Sequence, residues 1–296
     1  MIVRLDKQVI DRVEWLIDNP NKIVYSLDIP ELDPFYKIVL GSTTYIGGTP
    51  GHGKSEFLFE MLIRLSEKYS FKHLIFTPES GFAEDIYLEL ACKCLGKSNR
   101  PNAFNRITKT DFYNTIGFIT EHFIVREVED KTPSPTSFMQ EITECIYENE
   151  IKTVTIDPWN ELLHNFSEFN DGGRQDVYLE IALSNVRAFA RKHKLHFFVV
   201  AHPRTLQKNK EGKYDPPTAY ELSGGGTWFA KADSILCVHR PLEHSDTHFE
   251  RTFVDIHVQK AKPKSVGMKG TAEIDYDWVT GRYKSREGSK QIVTPF

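Results

Sequence analysis

The chain has 296 residues, 40% hydrophobic and 26% charged, enough for one large domain with a single well-filled core, or for one domain with a small appendage. A net charge of -4 and a sequence pI near 6.3 exclude a global basic field, so an anionic partner has to be met by local clusters. The start "MIVRLDKQVI" lacks the apolar region of an export signal, and no run approaches the roughly 18 apolar residues of a spanning helix, so a soluble intracellular protein without a membrane partner is expected.

The first element is a helix over residues 7–18, where Val9, Ile10, Val13, Leu16 and Ile17 recur at helical spacing before "NPNK" breaks the pattern. It either packs on its own domain or docks on a neighbouring subunit, which divides the chain into a linker (1–22), a core (23–286) and a loose tail (287–296). From residue 37 short apolar runs alternate with helical stretches: "KIVLGSTTYI", "HLIFT", "HFIVREV", "KTVTID", "HFFVVAH", "SILCVHR" and "TFVDIHVQK". This alternation predicts an α/β domain with a twisted, mostly parallel central sheet flanked by helices. Between the fourth and fifth runs, Val177, Ile181, Val186, Phe189 and Ala190 fall close to one helical face. The strands over 234–276 follow one another on short links, so the far edge is expected to be antiparallel. Two polar connectors, 164–174 and 203–226, are long for a domain of this kind and are flagged as functional. The 4 cysteines, Cys92, Cys94, Cys145 and Cys237, show no metal-binding spacing and read as reduced thiols.

The segment "GGTPGHGKSEF" carries the most chemistry. Gly48, Gly53, Lys54 and Ser55 match G-x-x-x-x-G-K-[ST], after an apolar run and before a helical one, the context this phosphate loop requires. Thr49, Pro50, Gly51, His52 and Glu56 complete the cradle. Backbone N–H groups turn onto the phosphates, Lys54 reaches the terminal ones, and the Ser55 hydroxyl binds Mg²⁺. Such a site needs a second carboxylate on the metal side at a strand end, and Asp157 ends "KTVTID". Glu79, just past "HLIFT", is either the base that orients a hydrolytic water or a carboxylate at the N-terminus of the next helix. His202 ends "HFFVVAH" and is either a γ-phosphate sensor or structural. In a doubly wound sheet ligands sit beyond the carboxyl ends of the strands, and all of these residues fall there.

Taken in order, "GTPGHGKSEF", "IFTPES", "VTIDPWNEL", "VAHPRTLQKNKEGKYDPPTAYELSGGG", "KADSILCVHR" and "VQKAKPKSVGMKG" resemble the successive motifs of RecA-like ring helicases, closest to the Twinkle and phage primase-helicase branch of the DnaB-like superfamily. The resemblance spans about residues 20–284 and includes no primase region. It implies a RecA-like P-loop ATPase using ATP or another NTP with Mg²⁺, held by Ser55 and Asp157. Glu79 would polarise the attacking water, His202 would couple the γ-phosphate to the DNA loops, and Arg240 and Tyr276 would sandwich the base. It further implies a hexameric or heptameric ring with active sites between subunits, into which Lys260 and a second cation reach from the neighbour. That second position holds Lys262 where arginine is expected. A lysine does not reproduce the planar fork of arginine, so slow hydrolysis is expected, or a finger from elsewhere, with Arg251 or Lys264 nearest in sequence.

By the same resemblance, the two long connectors face single-stranded DNA in the ring channel. Arg204, Lys208, Lys210 and Lys213 would meet phosphates, or serve merely as a solvated loop, and Gly224, Gly225 and Gly226 would let the backbone approach closely. Trp228 and Phe229 are expected to pack in a core or an interface rather than stack on bases. The function implied is an ATP-driven translocase on single-stranded DNA acting as a replicative helicase, with a separate primase or polymerase as partner, in the cytoplasm of a bacterial or phage-infected cell. The alternatives are a RecA-like recombinase or helicase-loading ATPase, and a weakly hydrolysing regulatory protein that binds ATP and DNA.

Overall fold

The computed structural model describes residues 5–19, 24–128, 131–169, 173–204, 206–241, 252–286 and 292–293. Strands β1 (Ser42–Gly47), β2 (His73–Phe76), β3 (Phe123–Val125), β4 (Thr153–Ile156), β5 (His196–Val200) and β6 (Ser234–His239) are mutually parallel, while β7 (Phe253–Lys260), β8 (Gly270–Asp277), β9 (Arg282–Ser285) and β10 (Ile292–Val293) are antiparallel. The order across the sheet is β10-β8-β7-β6-β1-β5-β4-β2-β3, with β9 also on β8. β1, β2, β4, β5 and β6 are buried at every position, threonines included, because both faces are covered. β7 alternates buried and half-buried positions along its whole length, as a strand on the less covered side does.

One face carries α2 (Lys54–Tyr69), α3 (Ala83–Leu95) and α4 (Lys109–His122), with Phe57, Leu58, Met61, Leu62, Leu90 and Ile119 buried against the sheet and the segment 27–38. The other carries α5 (Pro135–Glu148), α6 (Gln175–His193) and α7 (Gly226–Lys231), around Phe138, Ile142, Leu183, Val186 and Trp228. Each such side chain contributes about 1.5–3 kcal/mol on burial, so the two packed faces fix the helices, and the helices fix the strand-end loops.

The buried stripe of α6 is Tyr178, Leu179, Ala182, Leu183, Val186 and Ala190. Val177, Ile181 and Phe189 do not share that full burial and sit at its flank. The helix is turned because Tyr178 packs under the 164–169 segment, 5.4 Å from both Phe166 and Phe169, a tertiary contact that periodicity alone does not contain. α1 (Lys7–Asp18) forms over the expected residues, capped by Asp6, and buries none of its side chains in this chain. The 287–296 segment, expected to be loose, contributes β10, which pairs with the β8 edge at Gly270 and Thr271. An edge strand leaves a row of N–H and C=O groups open to such pairing.

Candidate nucleotide site

Strand register brings the sequence candidates to one edge. Ile46 pairs with Val200 and Gly47 with Cys237, Ile156 with Val199 and with Phe76. The loops after β1, β2, β4, β5 and β6 therefore all open on the same side. Antiparallel β8 returns to that side, which adds Tyr276.

The cradle is fixed by backbone conformations that suit glycine: Gly51 and Gly53 have φ of 77° and 84°. A Cβ on Gly48 would lie 2.3 Å from the Val238 carbonyl oxygen, so the loop can press against β6 only without a side chain. His52 Nδ1 accepts the Arg240 N–H at 2.9 Å, tying the loop to the end of β6. Pro50 is exposed at the tip. Lys54 is buried and donates to the carbonyls of Gly48 (3.2 Å) and Thr49 (3.4 Å). Burial lowers its pKa, and Asp157, the next largest influence, works against that shift.

Asp157 is 3% exposed. Burial raises its pKa, opposed first by a hydrogen bond from Ser55 and then by Lys54. Its Oδ2 and the Thr49 Oγ1 are buried without a hydrogen-bond partner. Buried polar atoms are rarely left so, and an orphaned carboxylate oxygen beside a hydroxyl suits a hard cation with oxygen ligands. Among the described residues no group of three His, Cys, Asp or Glu side chains could hold a metal alone, so phosphate oxygens and water would complete the shell.

Glu79 lies in a short turn, Pro78–Ser80, after β2. The acid that caps α3 is Asp85, which accepts the Phe82 N–H at 3.2 Å, so Glu79 does not serve that helix. Its Oε2 is 3.4 Å from His202 Nε2, and the carboxylate is 51% exposed. Two strand-end residues 123 positions apart thus meet beside the cradle.

Arg240 and Tyr276 are brought together, with the guanidinium carbon 5.7 Å from the ring centroid. A flat base between them needs about 7 Å, twice a ~3.5 Å contact, so a sandwich requires Arg240 to swing outward. The Tyr276 hydroxyl donates to Glu56 at 3.2 Å. Sequence reasoning missed the group behind it: Lys93, buried on α3, donates to Glu56 at 2.6 Å. No sequence spacing links these two residues, 37 positions apart.

The other candidates lie elsewhere. Ile235 pairs with Lys260, which places Lys260 at the start of β6, the opposite end of the sheet from the cradle. Lys260 is buried, donates to the carbonyl oxygens of Phe229 and Ala230, and lies near Lys262, Arg187 and Asp233. Neither Lys260 nor Lys262 belongs to the cradle of its own chain. Arg251 lies outside the described residues, as do residues 170–172 of the first connector. The second connector is closed at its base by a bridge between Pro203 and Leu222 and pinned to β7 by Gln259, which accepts the Ala219 N–H and donates to the Pro217 carbonyl. Arg204 gives its N–H to Glu221. Lys208 stacks 5.2 Å from the Tyr214 ring and Lys213 lies 3.5 Å from Glu211, with Lys210 exposed between them. Gly224, Gly225 and Gly226 lead into α7, Gly224 and Gly225 at positive φ. Trp228 is core, its Nε1 donating to the Ser223 carbonyl at 2.6 Å, and Phe229 stacks on Tyr220.

A DnaB-like replicative helicase, solved in a study of its interactions with primase, superposes with a TM-score of 0.75 over 96% of this chain and 69% of that one, at 16% identity. A second solved structure, an ATPase domain on its own, gives 0.76 over 97% of this chain and 100% of that one, at 15% identity. The fold is the one shared by these two solved structures. In sequence, the chain is 26% identical over 296 residues to the "Twinkle homolog protein, chloroplastic/mitochondrial" of Arabidopsis thaliana, covering 98% of this chain and 40% of that protein. The chain thus spans two fifths of the length of that relative. No family model matches it. Among the described residues no helix is long and apolar enough to cross a membrane.

Proposed function

We propose that the chain is an ATP-driven translocase on single-stranded DNA and works as the motor core of a ring-forming replicative helicase. The observation that carries the reading is the contact between Glu79 and His202, because His202 stands one residue before the base of the long 203–226 connector. A γ-phosphate seated at Lys54 would be met by a candidate base and by the root of a candidate DNA loop at one point, so its loss on hydrolysis would change what His202 faces and shift that loop.

In this reading Lys54 neutralises the terminal phosphates, and Ser55 and Asp157 hold Mg²⁺, which supplies charge compensation at the β- and γ-oxygens. Glu79 takes the proton of the attacking water, and His202 senses the outcome. Arg240 and Tyr276 hold the base. Arg204, Lys208, Lys210 and Lys213 follow DNA phosphates, and a ring repeats that local basicity around one channel despite the acidic chain. Lys260 and Lys262 act on the neighbour's phosphates, which agrees with their place at the far end of their own sheet. The uncovered apolar side of α1, including Ile10, Val13 and Ile17, belongs to the linker (1–22) and docks on an adjacent subunit.

The test is steady-state ATP hydrolysis with and without single-stranded DNA, beside a Lys54→Ala control. Turnover that rises with DNA and vanishes in the control supports the reading. A real rate indifferent to DNA favours the recombinase or loader class. Nucleotide binding without turnover, in a sample that sizes as a ring, favours a regulatory protein, the reading that Lys262 in place of arginine supports.

A further inference from the structure

A cavity of about 340 Å³ opens beside the cradle, with Glu56, Ser80, Glu89, Lys93 and Tyr276 among its walls. Three of these are neighbours of the nucleotide site: Glu56 follows Ser55, Ser80 follows Glu79, and Tyr276 stacks with Arg240. The cavity is therefore an extension of the cradle, on the side of α3. Its walls are polar and mixed in charge. Glu56 accepts from Lys93 and from the Tyr276 hydroxyl, which offsets its charge beside bound phosphate. Glu89 stands beside the Glu56 carboxyl, and burial, followed by the charge of Glu56, pushes Glu89 up to about 8. One carboxyl group is thus an acceptor and its neighbour a neutral donor at ordinary pH.

Asp85, Lys97 and Arg100 also line the cavity, but Lys93 and Lys97 are paired with Glu56 and Asp111, so the end at Glu56 and Glu89 is not a cationic phosphate subsite, and a pocket for an aliphatic group would be apolar. A donor and an acceptor side by side suit hydroxyl groups, each of which both gives and takes a hydrogen bond. The cradle's N–H groups hold the α- and β-phosphates, so the sugar leaves along the first turn of α2, where Glu56 stands. The geometry points to a ribose-reading pocket in which Glu89, together with Glu56, binds the 2′- and 3′-hydroxyls of the nucleotide and selects ribonucleotides over deoxyribonucleotides as fuel. A carboxylate on a ribose hydroxyl is the device that dinucleotide-binding folds also use. The proposal rests on the nucleotide-site reading above and names the sugar chemistry of that same site.

The experiment is equilibrium binding of ATP, 2′-deoxy-ATP and 3′-deoxy-ATP to the full chain with Mg²⁺, by displacement of a fluorescent nucleotide. The unaltered chain should prefer ATP over 2′-deoxy-ATP about tenfold, the worth of one or two net hydrogen bonds. Glu89→Leu should bring that ratio to about one, and Glu89→Gln, which keeps a donor in place, should retain most of it. Thermal unfolding of each variant guards against a folding defect, and the comparison of three nucleotides on the unaltered chain needs no variant. Equal affinity for ATP and both deoxy forms, abolished by Lys54→Ala, overturns the pocket while leaving the nucleotide site standing. A ratio that survives in a folded Glu89→Leu variant, or discrimination among bases in place of sugars, also overturns it. Failure of every nucleotide to bind the unaltered chain overturns the nucleotide site, and this proposal with it.

Discussion

At the carboxyl ends of the parallel strands, Asp157 Oδ2 and Thr49 Oγ1 are buried and lack hydrogen-bond partners. At the other end of the same sheet the charges are engaged. Arg187 bonds both oxygens of Asp233, Asp233 also takes the Thr43 N–H at 3.1 Å, and the Lys260 ammonium is held by the Phe229 carbonyl. Leaving a buried polar atom unsatisfied costs about 1–3 kcal/mol. The orphaned oxygens at the first end suit a ligand, whereas the paired charges of Arg187 and Asp233 at the second serve the stability of the chain itself. The difference sets a condition on the action proposed for Lys260 across a subunit boundary: it would have to exchange the Phe229 carbonyl for a phosphate.

The strongest way to break the comparison is at Glu79. Glu79→Gln keeps the shape and removes the proposed base, so DNA-stimulated turnover should fall by about 10² to 10⁴ while nucleotide affinity holds. Unchanged turnover would move the base elsewhere. Next is Asp233→Ala, which strands Arg187 and the Thr43 amide. Since the Arg187 side chain is 29% exposed and Asp233 7%, the loss should be about 2 kcal/mol, read as a lower urea midpoint, with nucleotide binding retained. Loss of binding with unchanged stability would show that the two ends are not separable in this way. A smaller gain is expected at Lys262. Lys262→Arg supplies a planar fork and should raise turnover about tenfold, well below the roughly 10³ to 10⁵ of a complete arginine finger. No gain would mean that Lys262 does not limit the rate.

How legible each end is in the sequence follows from how local its chemistry is. Asp157 directly follows the last residue of β4, and the phosphate loop joins β1 to α2, so a strand pattern and one motif place both. The mostly parallel sheet and its antiparallel edge are legible for the same reason, since they follow from runs and link lengths. Contacts made across the fold are not. Arg187 and Asp233 are 46 positions apart, and Tyr276 meets Glu56 across 220. Glu89 sits in a helix whose sequence marks it as one more polar position; its character comes from α2 packing beside α3, which places Glu56 against it. The rotation of α6 likewise depends on Tyr178 finding Phe166 and Phe169, a choice made by the loop rather than by the helix.

The finest distinction concerns Lys260 itself. Burial, then the charges of Lys262 and Arg187, lower its pKa from 10.5 to about 8, with Asp233 opposing. Above about pH 8 the amine is neutral and presents no charge to a neighbour's phosphate, so DNA-stimulated turnover should drop several-fold between about pH 7 and 9. Stability should move the other way. Between the folded and unfolded values the unfolded chain binds the extra proton, so unfolding becomes harder as pH rises through that window. Lys260→Arg keeps its charge throughout and should flatten the turnover profile. Rate profiles and thermal midpoints measured on the same samples test the two directions together. If both proteins lose turnover alike as pH rises, the titration belongs to another group and Lys260 is a structural lysine, of a kind with the Arg187–Asp233 pair beside it.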